Sequence, residues 1–129
     1  MFFLFSEEMQ AEPFNFELRK FGTALKVANK LHATITVSSL STFLYIAQEQ
    51  QYIYDNKLSM QEIALRMGIP YTSLARQIKL LSGGVGDSSG LGLIDHGIEQ
   101  SNSKIRILSI SEKGKYFLKE LDRVLSQSC

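Results

Sequence analysis

Ser59-Met60-Gln61-Glu62-Ile63-Ala64-Leu65-Arg66-Met67-Gly68-Ile69-Pro70-Tyr71-Thr72-Ser73-Leu74-Ala75-Arg76-Gln77-Ile78-Lys79-Leu80-Leu81 is the stretch that decides the fold. Ser59 and Glu62 stand three apart, the spacing of a capping box in which each side chain satisfies the other's backbone N–H. Ile63, Ala64 and Met67 then form the inner face of a short helix, and Gly68 supplies the left-handed conformation of a tight helix exit. Pro70 precedes a second helix with Leu74, Ile78 and Leu81 on one side. Two short helices joined at a glycine, with small Ala64 where they cross, predict a helix-turn-helix.

On the N-terminal side, Phe14, Leu18, Phe21, Leu25 and Ala28 repeat at intervals of four and three behind Pro13, a residue suited to a helix start. This predicts a first helix within residues 13–34. Thr36 is expected to cap a second helix, whose buried stripe is Leu40, Phe43, Leu44, Ile46 and Ala47. Tyr52 to Lys57 reads as a connector, because Asp55 and Asn56 favour turns. The apolar run Phe2 to Phe5 is too short for a secretory signal and is followed by Glu7 and Glu8, so it reads as an arm packing on the body or on a second subunit.

On the C-terminal side, Ser82 to Gly92 holds five of the nine glycines. It has neither a preceding strand nor the Lys-Ser or Lys-Thr ending of a phosphate-binding loop, and reads as a flexible connector. Leu93–Glu99 and Lys104–Ile110 are expected to pair as a β-hairpin around Gln100–Ser103, with Ile105, Ile107 and Ser109 on one face. The alternation puts Lys104 and Arg106 on the solvent face, opposite the core. Ser111 should cap a last helix within residues 111–129, whose apolar face is Phe117, Leu118, Leu121, Val124 and Leu125.

The length, 129 residues, is that of one domain, and 44% hydrophobic with 21% charged residues is an ordinary globular composition. Fourteen Lys and Arg against thirteen Asp and Glu leave a net charge of +1, which excludes a histone-like DNA coat or a polybasic membrane binder. The single cysteine, Cys129, permits no intramolecular disulfide and suits a reducing, cytoplasmic setting. Two histidines, His32 and His96, and one cysteine are too few for a zinc site of the usual ligands, and both histidines read as surface or helix-end residues. No metal, cofactor or membrane is expected. No nucleophile stands beside an activating base in a motif, so the chain does not read as an enzyme.

The expected fold class is mainly α with a small β-hairpin, a winged helix-turn-helix over residues 35–110 with flanking N- and C-terminal helices in one 1–129 domain. Over roughly residues 35–116 the chain resembles the MarR family of bacterial transcriptional regulators. Ile35-Thr36 is similar to the family's Leu-Thr at the second helix. Leu58 through Gly68 resembles its Leu-Thr-Gln…Glu-Leu-Ala block, and Ser73-Leu74-Ala75-Arg76 its recognition-helix core. Gly92-Leu93-Ile94 and Ile110-Ser111-Glu112-Lys113-Gly114 are similar to the motifs that bracket its wing. Where the family carries Asp-Arg-Arg at the wing tip, this chain has Asn102-Ser103-Lys104. Its glycine-rich segment is longer than the family turn and its last helix shorter than the family arm. A phage or plasmid relative fits this likeness as well as a chromosomal regulator.

A recognition helix over about 71–81 should turn Tyr71, Thr72, Ser73, Ala75, Arg76 and Lys79 towards the major groove of double-stranded DNA. Arg76 suits guanine O6 and N7, and Lys79 suits a phosphate. Thr72 and Ser73 are equally candidate caps for the helix start, and the bland reading of Arg76 and Lys79 is a solvated face. Lys104 and Arg106, on a wing over about 93–110, are placed to touch the backbone; strand-edge cations also discourage aggregation. Phe14, Leu18, Phe21 and Leu25 of the first helix and Phe117, Leu121 and Val124 of the last are expected to form a homodimer interface, the alternative being that the two helices cover each other within one chain. The expected function is therefore a sequence-specific, homodimeric DNA-binding transcriptional regulator. The alternative is a winged helix used as a protein-interaction module for the transcription or replication machinery. The resemblance implies small phenolic effectors in some relatives, but no residue here commits to one.

Overall fold

The computed structural model describes residues 15–83, 90–99 and 102–126; the side chains of 15, 16, 98, 99 and 102–106 lie outside that description. Among the described residues five helices and one hairpin follow in the order α1 (Asn15–Leu31), α2 (Val37–Asp55), α3 (Met60–Met67), α4 (Tyr71–Leu81), β1 (Ile94–Glu99), β2 (Asn102–Ile110) and α5 (Glu112–Leu125). The chain is thus mainly helical with a small antiparallel hairpin, an α+β arrangement. No described helix is long and apolar enough to cross a membrane.

Local chemistry sets the helix starts. Thr36 accepts the N–H of Ser39 at 3.1 Å, and the Ser39 hydroxyl accepts the Thr36 N–H at 2.8 Å. Ser59 and Glu62 make both bonds of their capping box, at 3.2 and 2.8 Å. These bonds to Ser59 also hold the Glu62 carboxyl below the usual glutamate range. Ser111 accepts the Gly114 N–H at 3.0 Å and donates its own hydroxyl proton to the Gly92 carbonyl at 2.7 Å. One serine thereby caps α5 and ties down the chain that enters β1.

Helix α2 runs through residues expected to form a connector. Ile53 is buried seven positions after Ile46, so the stripe of Phe43 and Ile46 continues for two more turns. Asn56 ends the helix, and Lys57 takes a left-handed φ of 51°. Between α3 and α4, Gly68 sits at φ 73°, which lets the Ile69 N–H return to the Ala64 carbonyl at 3.0 Å.

A single cluster of buried side chains extends from Ala24 and Ala28 of α1 to Phe117, Leu121 and Val124 of α5. Helix α1 packs on α5; α2 packs on α4 and β2; α3 and β1 pack on α4. Phe117 is the hub: its ring lies 5.4 Å from Phe43 and receives His32 edge-on at 4.8 Å. His32 stands at a helix end as expected, just after α1, and is half-buried there. Burial, with the Lys113 ammonium adding to it, holds its imidazole below the ordinary value of 6.5.

The hairpin corrects the expected strand faces. Ile94 pairs with Ile110 and His96 with Leu108, and the buried residues of β2 are Leu108 and Ile110, with Ile107 and Ser109 only half-buried. This is the opposite parity to Ile105, Ile107 and Ser109. The reason is the docking of the strand ends: Leu93 is pinned to the end of α4, its N–H on the Leu81 carbonyl at 2.7 Å, which turns Ile94 and its partner Ile110 inward. The pairing slips between Ile98 and Glu99, where Glu99 faces Asn102.

Candidate nucleic-acid interface

Helix α4 is held from behind by Leu74, Ile78 and Leu81, all buried. Their spacing leaves Thr72, Arg76 and Lys79 exposed, with Tyr71 at 46% exposure and Ser73 and Ala75 half-buried. The six residues expected to read DNA therefore share α4, and four of them, Tyr71, Thr72, Arg76 and Lys79, reach solvent. Pro70 is the N-cap and no side chain caps the helix start, so neither Thr72 nor Ser73 serves as a cap. The segment 70–81 holds two positive charges and no negative one.

At its other end α4 is fixed by three backbone bonds to the chain entering the hairpin. The N–H groups of Leu91, Gly92 and Leu93 bond to the carbonyls of Leu80, Ser82 and Leu81 at 2.7, 2.9 and 2.7 Å. Carbonyls that would end the helix unpaired are satisfied by the chain entering the hairpin. Helix and hairpin are thereby joined at a set angle. Between them runs an open groove of about 510 Å³, with Met60, Ile78 and Ile94 as its floor and Tyr71, Lys79, Ser82, Asp95 and His96 around it. The sequence carried no sign of this groove, because its walls lie more than ten residues apart.

A second pair escaped the sequence reading for the same reason. Arg66 of α3 lies over the Tyr52 ring, 4.7 Å from its centre, and donates to the Tyr52 hydroxyl at 2.8 Å. The guanidinium stands exposed yet oriented, as a cation on an aromatic face does.

Lys104 and Arg106 lie on β2, but their side chains are outside the described residues, as are the tip residues Gln100 and Ser101. The 84–89 part of the glycine-rich connector, the Phe2–Phe5 arm, Phe14 and Cys129 also lie outside them. Of the expected dimer residues, Leu18 and Phe21 are exposed at 55% and 58%, and Leu25 is half-buried. Phe117, Leu121 and Val124 are a correction: all three are buried within one chain, where α5 turns them onto α1 and onto Phe43. A side chain already covered by its own core has no area left for a partner. Among the described residues no cluster of His, Cys, Asp and Glu is arranged to hold a metal ion. Comparison with protein-family models, curated proteins and solved structures finds no match to this chain.

Proposed function

We propose that this chain is a winged helix-turn-helix, MarR-like regulator that binds double-stranded DNA sequence-specifically as a homodimer. Helix α4 would enter the major groove and the β1–β2 hairpin would rest on the backbone. One observation carries the reading. Arg76 and Lys79 project from an acid-free helix that is anchored on its inner face and fixed at its C-terminal end by three backbone bonds. A rigid presentation is what base reading requires, since a guanidinium must meet two acceptors of one guanine at once. Selection of bound fragments from a random duplex pool tests it. A palindromic consensus is expected, with binding that weakens steeply as salt rises through counterion release. An empty selection overturns the proposal.

A second reading has its own support. Leu65 on α3 is 81% exposed, next in sequence to the ring-stacked Arg66. An apolar side chain beside an oriented cation suits a protein surface of the transcription or replication machinery. Such a contact should change little with salt.

A further inference from the structure

The groove between α4 and β1 holds two opposite charges that do not meet. Lys79 stands on its α4 wall and Asp95 on its β1 wall, with Met60, Ile78 and Ile94 as the floor between them. Both charged side chains are exposed, and among the described residues neither has a hydrogen-bond or ion-pair partner. Elsewhere Lys115 and Arg123 do pair with acids of their own helix, Glu112 and Glu120, both at 3.0 Å. The three floor residues belong to the buried core, so at about 510 Å³ the groove joins an apolar bed to two convergent charges, the make-up of a small-molecule site. Neither α1 nor α5 lines it, which separates it from any surface those helices offer a second subunit.

Charges of both signs in one groove select the occupant. An anion is drawn to Lys79 and repelled by Asp95, and a cation the reverse. An uncharged apolar ligand would strip water from both charges and put nothing in its place. A DNA phosphate meets the same repulsion, so Lys79 reaches the backbone only by turning out of the groove. A molecule that carries both charges on an aliphatic body satisfies walls and floor together. We propose that the groove binds a small zwitterion of the amino-acid or short-peptide class. Its carboxylate lies on Lys79, its ammonium group on Asp95, and its aliphatic side chain on Met60, Ile78 and Ile94. A bound ligand then holds Lys79 inward, away from the phosphate, so ligand and DNA weaken each other's binding by the same factor. That coupling rests on the proposed function; occupancy of the groove does not.

Calorimetric titration of the full chain without DNA tests occupancy. The probes are L-leucine and leucyl-leucine, which distinguish the two ligand lengths, each beside its N-acetyl and its carboxamide derivative. One zwitterion or both should give saturable heat, and the capped derivatives should bind more weakly by about tenfold or more, the size of one charged hydrogen bond. Two variants then assign the ends. Asp95→Asn should lose the preference over the N-acetyl form and keep the preference over the carboxamide, and Lys79→Met should do the reverse. Misfolding cannot produce that crossed pattern, because each variant keeps one of the two preferences. No saturable heat from either zwitterion overturns the inference. So do capped derivatives that bind as well as their parents, or variants that lose both preferences alike. Anisotropy on a selected duplex reads the coupling: saturating ligand should weaken DNA binding as much as Lys79→Ala does, and a bound ligand that leaves DNA affinity unmoved overturns the coupling. A DNA selection that fails beside a positive titration removes the regulator reading and leaves the zwitterion site standing.

Discussion

Gln50 Oε1 accepts the backbone N–H of Ile110 at 3.1 Å, across sixty positions of sequence. The bond joins the C-terminal part of α2 to the end of β2, where the strand's donor turns away from β1. It therefore sets how the hairpin leans against the helical body. Gln50→Leu leaves that partly buried N–H without a partner, at a cost of about 1–3 kcal/mol. Gln50→Glu, which keeps an acceptor at the same reach, should recover most of it. Urea unfolding of the two variants checks this, and equal losses would show that the bond has no net value.

Gly114 has no room for a side chain. A Cβ there would overlap the Leu93 carbonyl oxygen and come within 2.7 Å of Ile110 Cγ2. The obstructing oxygen is backbone and already accepts the Ser111 N–H at 3.1 Å, so it cannot withdraw cheaply. Gly114→Ala should lower stability by about 1–3 kcal/mol or more, as overpacking does. Gly97→Ala is the control: among the described residues nothing lies within 4 Å of its Cβ position, and thermal unfolding should move little.

Arg76→Ala and Lys79→Ala should separate specificity from affinity. Loss of a two-pronged contact to guanine relaxes discrimination at one base position by about 1–3 kcal/mol, whereas loss of a phosphate contact weakens all duplexes alike and lowers the salt slope by about one unit. Both side chains are exposed, so both variants should melt as the parent does. Anisotropy titrations on a selected duplex and a scrambled one read the difference. An Arg76→Ala chain that keeps full discrimination would remove α4 from base reading.

His32 predicts acid sensitivity. Its folded value lies below 6.5, through burial first and Lys113 second, so the unfolded chain takes up this proton before the folded one does. The stability due to neutral His32 is complete above the unfolded value and is lost as pH falls through it towards the folded value. Chemical unfolding at a series of pH values should show this fall, and His32→Phe should flatten it. An unchanged pH profile in that variant would assign the effect to another group.

Much of the helical frame was legible because its signals are local. Ser59 with Glu62, Gly68, Thr36 and Ser111 act within three or four residues, and each does in the structure what its spacing implied. The strand faces were not legible. Period two permits either parity, and the choice is made by Leu93 bonding to Leu81, a contact between segments the glycine-rich connector separates. The α2 boundary was misplaced because Asp55 and Asn56 do mark a turn, while Ile53 just before them follows the helical period of Phe43 and Ile46. The fate of Phe117 was a different matter. An apolar stripe reports that a face will be covered but not by which surface, and here His32, Phe43 and α1 cover it first. For the candidate interface, the sequence picked out the outward residues of α4, and neither the groove beside β1 nor the Arg66–Tyr52 pair had any local sign.

The junction of Leu93, Ser111 and Gly114 also dictates an order of assembly. The hairpin entrance that fixes α4 is itself held by Ser111 and packed under Gly114, and Phe43 pairs its ring with Phe117. These closing pieces are translated after everything they close. A nascent chain that has exposed only α1 to α4 still lacks the Leu91–Leu93 segment that fixes the end of α4, and the short loops from Leu81 to Leu93 and from Gly92 to Ser111 must be drawn shut to supply it. The C-terminal end of the helix bearing Arg76 and Lys79 therefore acquires its fixed posture only once the segment from Leu91 to Ser111 has followed it, and a chain cut short of Leu91 would hold that end unanchored.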